Sequence, residues 1–240
     1  MAAMARRDLV LHEAEMLSPS VRSLTFRTAD RAPFTWTAGQ WITLYHEVDG
    51  DVVDRSYSIA TPSDPAAPDR FELAVTLVEG GPMSSALHAM SAGATTTMQG
   101  PFGFFTLDHA PPDVPIVFVG TGTGVTPLRA MIRDELRRGT RRRLTLLFGC
   151  RTPEDVLYRD ELEALAAEHD LFDYHVTLSR PTEAWTERRG YVQAHLADFC
   201  ADDRAHVYVC GLSGMVKEVR RTLKEELGYD RKRIHTERYD

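Results

Sequence analysis

The chain has 240 residues and a mass of 27.0 kDa, enough for one large domain or two of ordinary size. Hydrophobic residues make up 43% and charged residues 26%, which excludes a disordered or collagen-like polymer. The net charge of −7 argues against non-specific nucleic-acid binding, which needs a basic surface.

No run approaches the roughly 18 consecutive apolar residues of a transmembrane helix, so no membrane partner is expected. Met1–Asp8 has no apolar stretch behind its arginines, so it does not read as a signal peptide, and a cytoplasmic protein is expected. The charge is uneven: residues 1–110 carry 7 Arg and no Lys against 13 acids, a balance of −6, whereas 111–240 carry −1. The single basic run, Arg137-Arg-Gly-Thr-Arg-Arg-Arg143, reads as a solvated helix end, where cations favour the dipole. The three cysteines, Cys150, Cys200 and Cys210, are too few and too far apart for a disulfide scaffold. They also cannot supply the four thiolates of an iron–sulfur cluster. Any electrons handled here need another carrier.

In chain order, the first half consists of short apolar runs broken by turn residues. Leu9–Leu11, Val21–Phe26, Gln40–Tyr45 and Phe71–Val78 are strand candidates, several alternating with period two. Pro62, Pro65 and Pro68 mark a loop, and Ser84–Met90 suits one short helix with Leu87 and Met90 inward. This is the spacing of a small antiparallel barrel. Asp108–Pro115, with three prolines, reads as a linker. Beyond it, strand and helix alternate. The predicted order is strand Ile116–Val119, helix Pro127–Arg138, strand Leu144–Phe148, helix Asp160–Glu168 and strand Tyr174–Leu178. A short helix over Val192–Phe199, strand His206–Cys210 and helix Gly214–Glu226 complete it. That grammar belongs to a parallel sheet wrapped by right-handed crossovers.

Gly120-Thr-Gly-Thr-Gly-Val-Thr-Pro127 follows a buried strand and opens a helix. Small residues there let backbone N–H groups approach a pyrophosphate, and the helix dipole favours its charge. The turn lacks the Lys-Ser/Thr ending of a P-loop and the spacing of the dinucleotide fingerprint. Pro127 suits a first helical turn. In Arg55-Ser-Tyr-Ser58, an Arg, an aromatic and a hydroxyl at alternating strand positions would share one face, offering a phosphate partner, a stacking surface and a donor. An ordinary exposed strand reads the same way. Gly80-Gly-Pro-Met-Ser84 could hold a second anion at a helix start, and Gly100-Pro-Phe-Gly-Phe-Phe105 reads as a turn with core aromatics.

Together with Val207-Tyr-Val-Cys-Gly-Leu-Ser-Gly-Met215 and the ending Glu237-Arg-Tyr239, these motifs occur in the order found in the ferredoxin–NADP reductase family, which the chain resembles from about residue 9 to 239. The resemblance implies an antiparallel Greek-key FAD-binding barrel over 1–109. A Rossmann-like parallel-sheet NADP-binding domain over 110–240 would follow, its tail returning to the flavin. Tyr57 and Tyr239 would sandwich the isoalloxazine, and Arg55 would pair with the flavin pyrophosphate beside Gly81, Pro82, Met83 and Ser84. Ser56 and Val75 would contact the flavin, and Ser58 would donate a hydrogen bond near its N5. Gly122, Thr123, Gly124, Thr126 and Pro127 would hold the NADP pyrophosphate. Cys210, with Gly211 and Met215, would flank the nicotinamide, and Glu237 would position that ring or handle protons. Ser179, Arg180, Arg189 and Tyr191 would grip the 2′-phosphate and adenine, so NADPH is expected over NADH. In the family the Tyr is often the last residue, whereas Asp240 follows it here and alters the charge near the nicotinamide pocket.

The expectation is a monomeric NADPH-dependent flavoprotein reductase, passing electrons to or from an external ferredoxin or flavodoxin. The alternatives are an NAD(P)H reductase component serving an oxygenase or free flavin, and a flavoprotein-like relay module without hydride chemistry. No metal site is expected.

Overall fold

The computed structural model describes residues 5–202 and 204–239. Met1–Met4, half of the segment read for a leader, lie outside the described residues, as does Asp240. No helix among the described residues is long and apolar enough to cross a membrane. The chain divides into two compact units, one of residues 1–106 with Arg129–Asp134 and one of 107–128 with 135–240.

The first unit is a six-stranded antiparallel sheet. Its strands are β1 (Arg7–Ser18), β2 (Val21–Thr28), β3 (Trp41–Val48), β4 (Asp51–Ser58), β5 (Arg70–Thr76) and β6 (Thr95–Phe102), with helix α1 (Pro82–Ala89) before β6. The spatial order is β4-β3-β6-β1-β2-β5. The Ala60 amide, just past β4, donates to Glu72 O of β5 at 2.8 Å, drawing the two ends of the sheet together into a barrel. Alternation puts Leu9, Leu11, Leu24, Phe26, Ile42, Leu44, Phe71 and Leu73 inside, where α1 adds Met83 and Leu87.

Two strands of this unit lie outside the strand candidates taken from apolar runs, although Arg55–Ser58 was expected at strand positions. β4 follows the two-residue loop Asp49-Gly50, whose φ values of 53° and 89° fit the tight hairpin turn that such a pair favours. Its exposed acids hide the apolar alternation. β6 is rich in Thr and runs into Gly100-Pro-Phe102, so the expected turn is instead the end of a strand. The Gly100–Pro101 bond is cis.

The second unit follows the expected alternation. Its elements are β7 (Ile116–Thr121), the two ends of α2 (Val125–Arg137, whose Arg129–Asp134 stretch counts with the first unit), β8 (Leu144–Cys150), α3 (Arg159–Glu168), β9 (Phe172–Leu178) and the two-residue β10 (Arg188–Arg189). α4 (Leu196–Phe199), β11 (His206–Leu212), α5 (Ser213–Arg221) and β12 (Ile234–Tyr239) complete it. The spatial order is β10-β9-β8-β7-β11-β12, and every pairing is parallel. β8 is buried at all seven positions and β7 at its first five, as expected of strands covered on both faces. From β7 the chain steps outward through β8, β9 and β10, then returns to β11 on the other side. The switch in direction at β7/β11 leaves a crevice at the strands' carboxyl ends, the usual ligand site of such sheets.

The basic run does end a helix, but it is not all solvated. Arg142 is buried; it pairs with Glu135 at 2.8 Å and donates to Pro111 O at 3.2 Å. This pins the proline-rich segment, whose Pro115 carbonyl also accepts from the His206 amide. The expected solvation fails because the chain leaving α2 turns back on its own last turn at Gly139, where φ is +72°.

Candidate functional sites in the two units

In the first unit, the β3–β4 register sorts the Arg55–Ser58 motif. Arg55 lies opposite Leu44 and Tyr57 opposite Ile42, while Ser56 lies opposite Thr43 and Ser58 opposite Trp41. Directly opposed residues share a face, so Arg55 and Tyr57 form one set and Ser56 and Ser58 the other. The expected common face for Arg, aromatic and hydroxyl is therefore corrected: Ser58 is one position out of phase with Tyr57. Arg55 is exposed and donates to Asp54 O at 2.7 Å. Tyr57 packs its ring on the barrel core, and burial pushes its phenol up to about 12, partly offset by Arg55. It therefore stays a neutral aromatic throughout the physiological range. Ser58 is buried.

The turn before α1 is held by its own serine. Ser84 Oγ accepts from the Val78 amide at 3.1 Å and lies 3.1 Å from Gly81 O, so this hydroxyl closes the loop. What the turn offers an anion is backbone. Pro82 opens the helix and leaves the Met83 and Ser84 N–H groups in a first turn with no intrahelical acceptor. A Cβ on Gly81 would come within 2.8 Å of Ser84 Oγ and 3.1 Å of Val78, so a side chain here would press on the serine that holds the turn. Val75 is 1% exposed, and its carbonyl pairs with His88 Nε2 at 2.8 Å. Its side chain belongs to the core, so any ligand contact falls to its backbone.

In the second unit the site gathers at the β7/β11 crevice. The Gly122–Gly124 turn leads into α2. A Cβ at Gly122 would meet nothing within 4 Å, whereas one at Gly124 would lie 2.3 Å from Cys210 O. The turn is therefore open at its apex and pressed against β11 at its base. Gly211, at φ +153°, leaves no room for a Cβ beside Thr121 Oγ1 at 2.4 Å and Met215 Cε at 2.6 Å. Thr121 Oγ1 is buried there with no hydrogen-bond partner. An orphaned hydroxyl beside a glycine cradle fits a polar ligand on this turn. Thr121 lay within the motif but was not singled out, because nothing in the string separates it from Thr123. Thr126 Oγ1 donates to Thr123 O at 2.8 Å and lies 3.4 Å from the Tyr239 hydroxyl.

Parallel pairing sets Cys210 beside Glu237 and Leu212 beside Tyr239. These residues, far apart in sequence, thus share the carboxyl ends of β11 and β12. Burial raises the Cys210 thiol well above its usual range, the Glu237 carboxylate raises it further, and the Tyr239 hydroxyl partly opposes both. Cys210 is accordingly a neutral thiol at physiological pH, a small contact surface and not a nucleophile.

At the ends of β8 and β9, Ser179 N donates to Cys150 O at 3.0 Å and Arg180 N to Arg151 O at 2.8 Å. Arg151 and Arg180 thus leave adjacent strand ends side by side, both exposed. Tyr191 is 68% exposed, an available stacking face. Arg189 Nη2 donates to Trp185 O at 2.6 Å and Thr182 O at 3.2 Å, closing the 182–189 loop on itself. Arg151, which sequence reasoning passed over, is a further exposed guanidinium at this edge. Its signal was an arginine immediately after a fully buried strand.

Among the described residues no cluster of His, Cys, Asp and Glu is suited to a metal ion. The three cysteines are free and buried.

Residues 8–107 match the family model of an oxidoreductase FAD-binding domain, and residues 118–221 that of an oxidoreductase NAD-binding domain. The chain is 51% identical over 231 residues to ferredoxin–NADP reductase B of Sorangium cellulosum, covering 93% of each chain. It is 31% identical to the glycine betaine monooxygenase reductase subunit of Pseudomonas aeruginosa, of whose length it spans 60%. Among solved structures, a ferredoxin–NADP+ reductase from Neisseria gonorrhoeae with bound FAD and NADP superposes with a TM-score of 0.81 at 21% identity, over 99% of each chain. The FAD/NAD-binding domain of a nitric oxide dioxygenase from Vibrio cholerae gives 0.87 at 23% identity, over 97% of this chain and 98% of that one.

Proposed function

The chain belongs to the ferredoxin–NADP reductase family, and from that premise we propose that it exchanges hydride with NADP(H) and single electrons with an external ferredoxin or flavodoxin. It is an FAD- and NAD(P)-dependent oxidoreductase. Bound flavin supplies the chemistry that converts a two-electron hydride into one-electron steps; the residues bind, orient and shield.

In the first unit, Arg55 and the N–H groups at the start of α1 meet the flavin pyrophosphate, while Ser84 keeps that turn in shape. Tyr57, held neutral, supplies a stacking face, and Ser56 and Ser58 supply hydroxyls. In the second unit, the Gly122–Gly124 turn and the first turn of α2, with Thr123, Thr126 and Pro127, receive the dinucleotide pyrophosphate. Cys210, Gly211 and Met215 form a close, uncharged surface for the nicotinamide, with Glu237 as its polar neighbour. Tyr239 is the aromatic at the strand end. Hydride transfer depends on holding donor and acceptor at contact distance, so such positioning is the main contribution of the protein.

One observation carries the preference for NADPH: Arg151 and Arg180 stand side by side at the ends of β8 and β9, within a segment that also presents Ser179 and Tyr191. Two guanidiniums suit a 2′-phosphate dianion and gain nothing from the 2′-hydroxyl of NADH. Arg189 acts by keeping that segment folded.

The external carrier rests on the 51% identity with a reductase named for ferredoxin and on three cysteines being too few for a cluster. A second reading, the reductase component of an oxygenase, draws on the 31% identity with the glycine betaine monooxygenase subunit. Reducing the purified flavoprotein with NADPH, then comparing ferredoxin, flavodoxin, free flavin and an oxygenase component as acceptors, separates the two. Fastest turnover with an oxygenase component would overturn the first reading. Failure of NADPH to bleach the flavin would leave only a relay role.

A further inference from the structure

Gly190 sits between Arg189 and Tyr191 at a φ of +105°, and a Cβ there would meet nothing within 4 Å. The turn therefore has no side chain of its own to pack, although the exposed ring of Tyr191 hangs from it. Hydrogen bonds fix it instead, on both of its peptides. The Gly190 amide donates to Leu178 O at 2.8 Å. The Arg189 carbonyl, on the same peptide, lies 3.1 Å from His195 Nε2, and the Gly190 carbonyl accepts from Thr177 Oγ1 at 2.9 Å. These contacts admit one arrangement of protons. A carbonyl only accepts, so Nε2 of His195 carries its hydrogen towards Arg189 O. That N–H can only donate to the Thr177 oxygen, 3.2 Å away, which leaves the Thr177 proton for Gly190 O. On the other side of the ring, Nδ1 lies 3.4 Å from Arg188 Nη1, a group that only donates, so Nδ1 keeps its lone pair. Arg188 is itself held by Asp198 at 2.5 Å and by the Phe199 ring, 4.7 Å from its guanidinium. Both partners belong to α4, so the turn is tied to that helix through one imidazole. Thr177 is fully buried, where valine has the same shape and lacks only the hydroxyl, so hydrogen bonding is what threonine adds.

We propose that His195 and Thr177 are positioning residues for the adenine end of the nucleotide: as the Nε2–H tautomer, His195 clamps the Gly190 turn together with Thr177 and so sets the angle at which Tyr191 presents its ring. The proposal rests on the reading of Tyr191 as the adenine's stacking face. Both residues act through Tyr191, without touching the nucleotide. Adenine is common to NADPH and NADH, so the clamp governs affinity for both, whereas the arginines at the 2′-phosphate discriminate between them. Losing one such hydrogen bond corresponds to about three- to tenfold in affinity.

The test uses the FAD-loaded protein with His195→Ala, His195→Gln, His195→Asn, Thr177→Val and Tyr191→Ala. It reads the Ki of 5′-AMP against NADPH, together with the KM for NADPH and for NADH. The 5′-AMP probe carries the adenine and neither the 2′-phosphate nor the nicotinamide. His195→Ala and Thr177→Val should each raise all three constants about three- to tenfold, with kcat moving by less than that factor. A glutamine amide reaches where Nε2 stands, so His195→Gln should return the constants towards the parent values. Asparagine reaches only as far as Nδ1 and should not. A purely structural role would lower the melting temperature and leave the Ki and both KM values where they were, or would make glutamine and asparagine alike; either result overturns the clamp. A change confined to NADPH overturns it too. If 5′-AMP fails to inhibit the parent, or Tyr191→Ala leaves its Ki unchanged, the reading of the adenine face fails and the clamp with it. If Tyr191→Ala weakens 5′-AMP and His195→Ala does not, only the clamp fails.

Discussion

Gly124→Ala tests the geometry of the crevice most directly. The added Cβ would lie 2.3 Å from Cys210 O, 2.6 Å from the Cys210 carbonyl carbon and 2.8 Å from Gly211 Cα. Ordinary contact between such atoms begins at about 3.5 Å, so the overlap is roughly 1 Å on three atoms at once. All three are backbone, so no side chain can rotate away. They belong to β11, paired on one side with β7 and on the other with β12. The φ of Gly124 lies outside the glycine-favoured region, which leaves overpacking as the whole cost. That cost is about 3 kcal/mol, at the upper end for forced insertions, and corresponds to a fall in Tm of about 6–12 °C for a chain of this length. The base of the turn must lift off β11, tilting the N–H groups above it, so NADP+ affinity should fall at least about tenfold. Thermal unfolding by circular dichroism and an NADP+ titration of the same preparation read both effects. Gly214→Ala is the matched control, since a Cβ there meets nothing within 4 Å, and it should be neutral or slightly stabilising. If Gly124→Ala matches the parent in both assays, the contact between turn and β11 is wrong.

Three further outcomes are expected. Arg180→Ala and Arg151→Ala should each raise the KM for NADPH about tenfold or more and leave that for NADH nearly unchanged; parallel changes in steady-state assays would sink the 2′-phosphate assignment. Arg129 donates to Glu72 at 3.0 Å and to Ala60 O at 2.9 Å, with the pair 6% and 13% exposed. Arg129→Ala should therefore cost about 3 kcal/mol in urea unfolding, and Arg129→Met with Glu72→Gln should recover much of it. The third outcome concerns pH. His235 stacks on Tyr208 and on His206, to which it hydrogen-bonds at 2.9 Å. Burial first, then His206 and His109, hold its pKa down at about 4. The unfolded chain then binds the extra proton, so stability should fall as pH drops from about 6.5 towards 4 and level off below. Because the ring is only half-buried, we expect about 1–2 kcal/mol after solvent screening. His235→Phe should flatten that part of a Tm–pH profile; an unchanged slope would refute the assignment.

The architecture was legible because its signals are local. Uninterrupted apolar runs at Ile116–Val119 and Leu144–Phe148 identify covered parallel strands, and the prolines around 108–115 mark the change of grammar. What escaped were strands whose stability comes from pairing and not from composition. β4 is mostly exposed, and its acids Asp51 and Asp54 are both exposed. β12 is an edge strand of mixed charge, Ile-His-Thr-Glu-Arg-Tyr, held by its register on β11. Missing β12 as a strand also hid why Glu237 and Tyr239 lie beside Cys210: the resemblance put them at one site, and the parallel register is the physical cause.

The site residues show the same boundary more sharply. A motif names residue types at positions, but a side chain's role depends on where its hydrogen bonds are already committed. Arg189 and Arg151 are both exposed arginines near the end of a strand. Arg189 meets three carbonyls of its own loop, whereas Arg151 stands beside Arg180 with its backbone carbonyl alone engaged in that pairing. Ser84 likewise spends its hydroxyl on the turn it belongs to, leaving anion binding to N–H groups that no sequence pattern displays. Spacing could therefore locate both candidate turns, while the division between side chains left open to a ligand and side chains spent on shaping the cradle required the hydrogen-bond geometry.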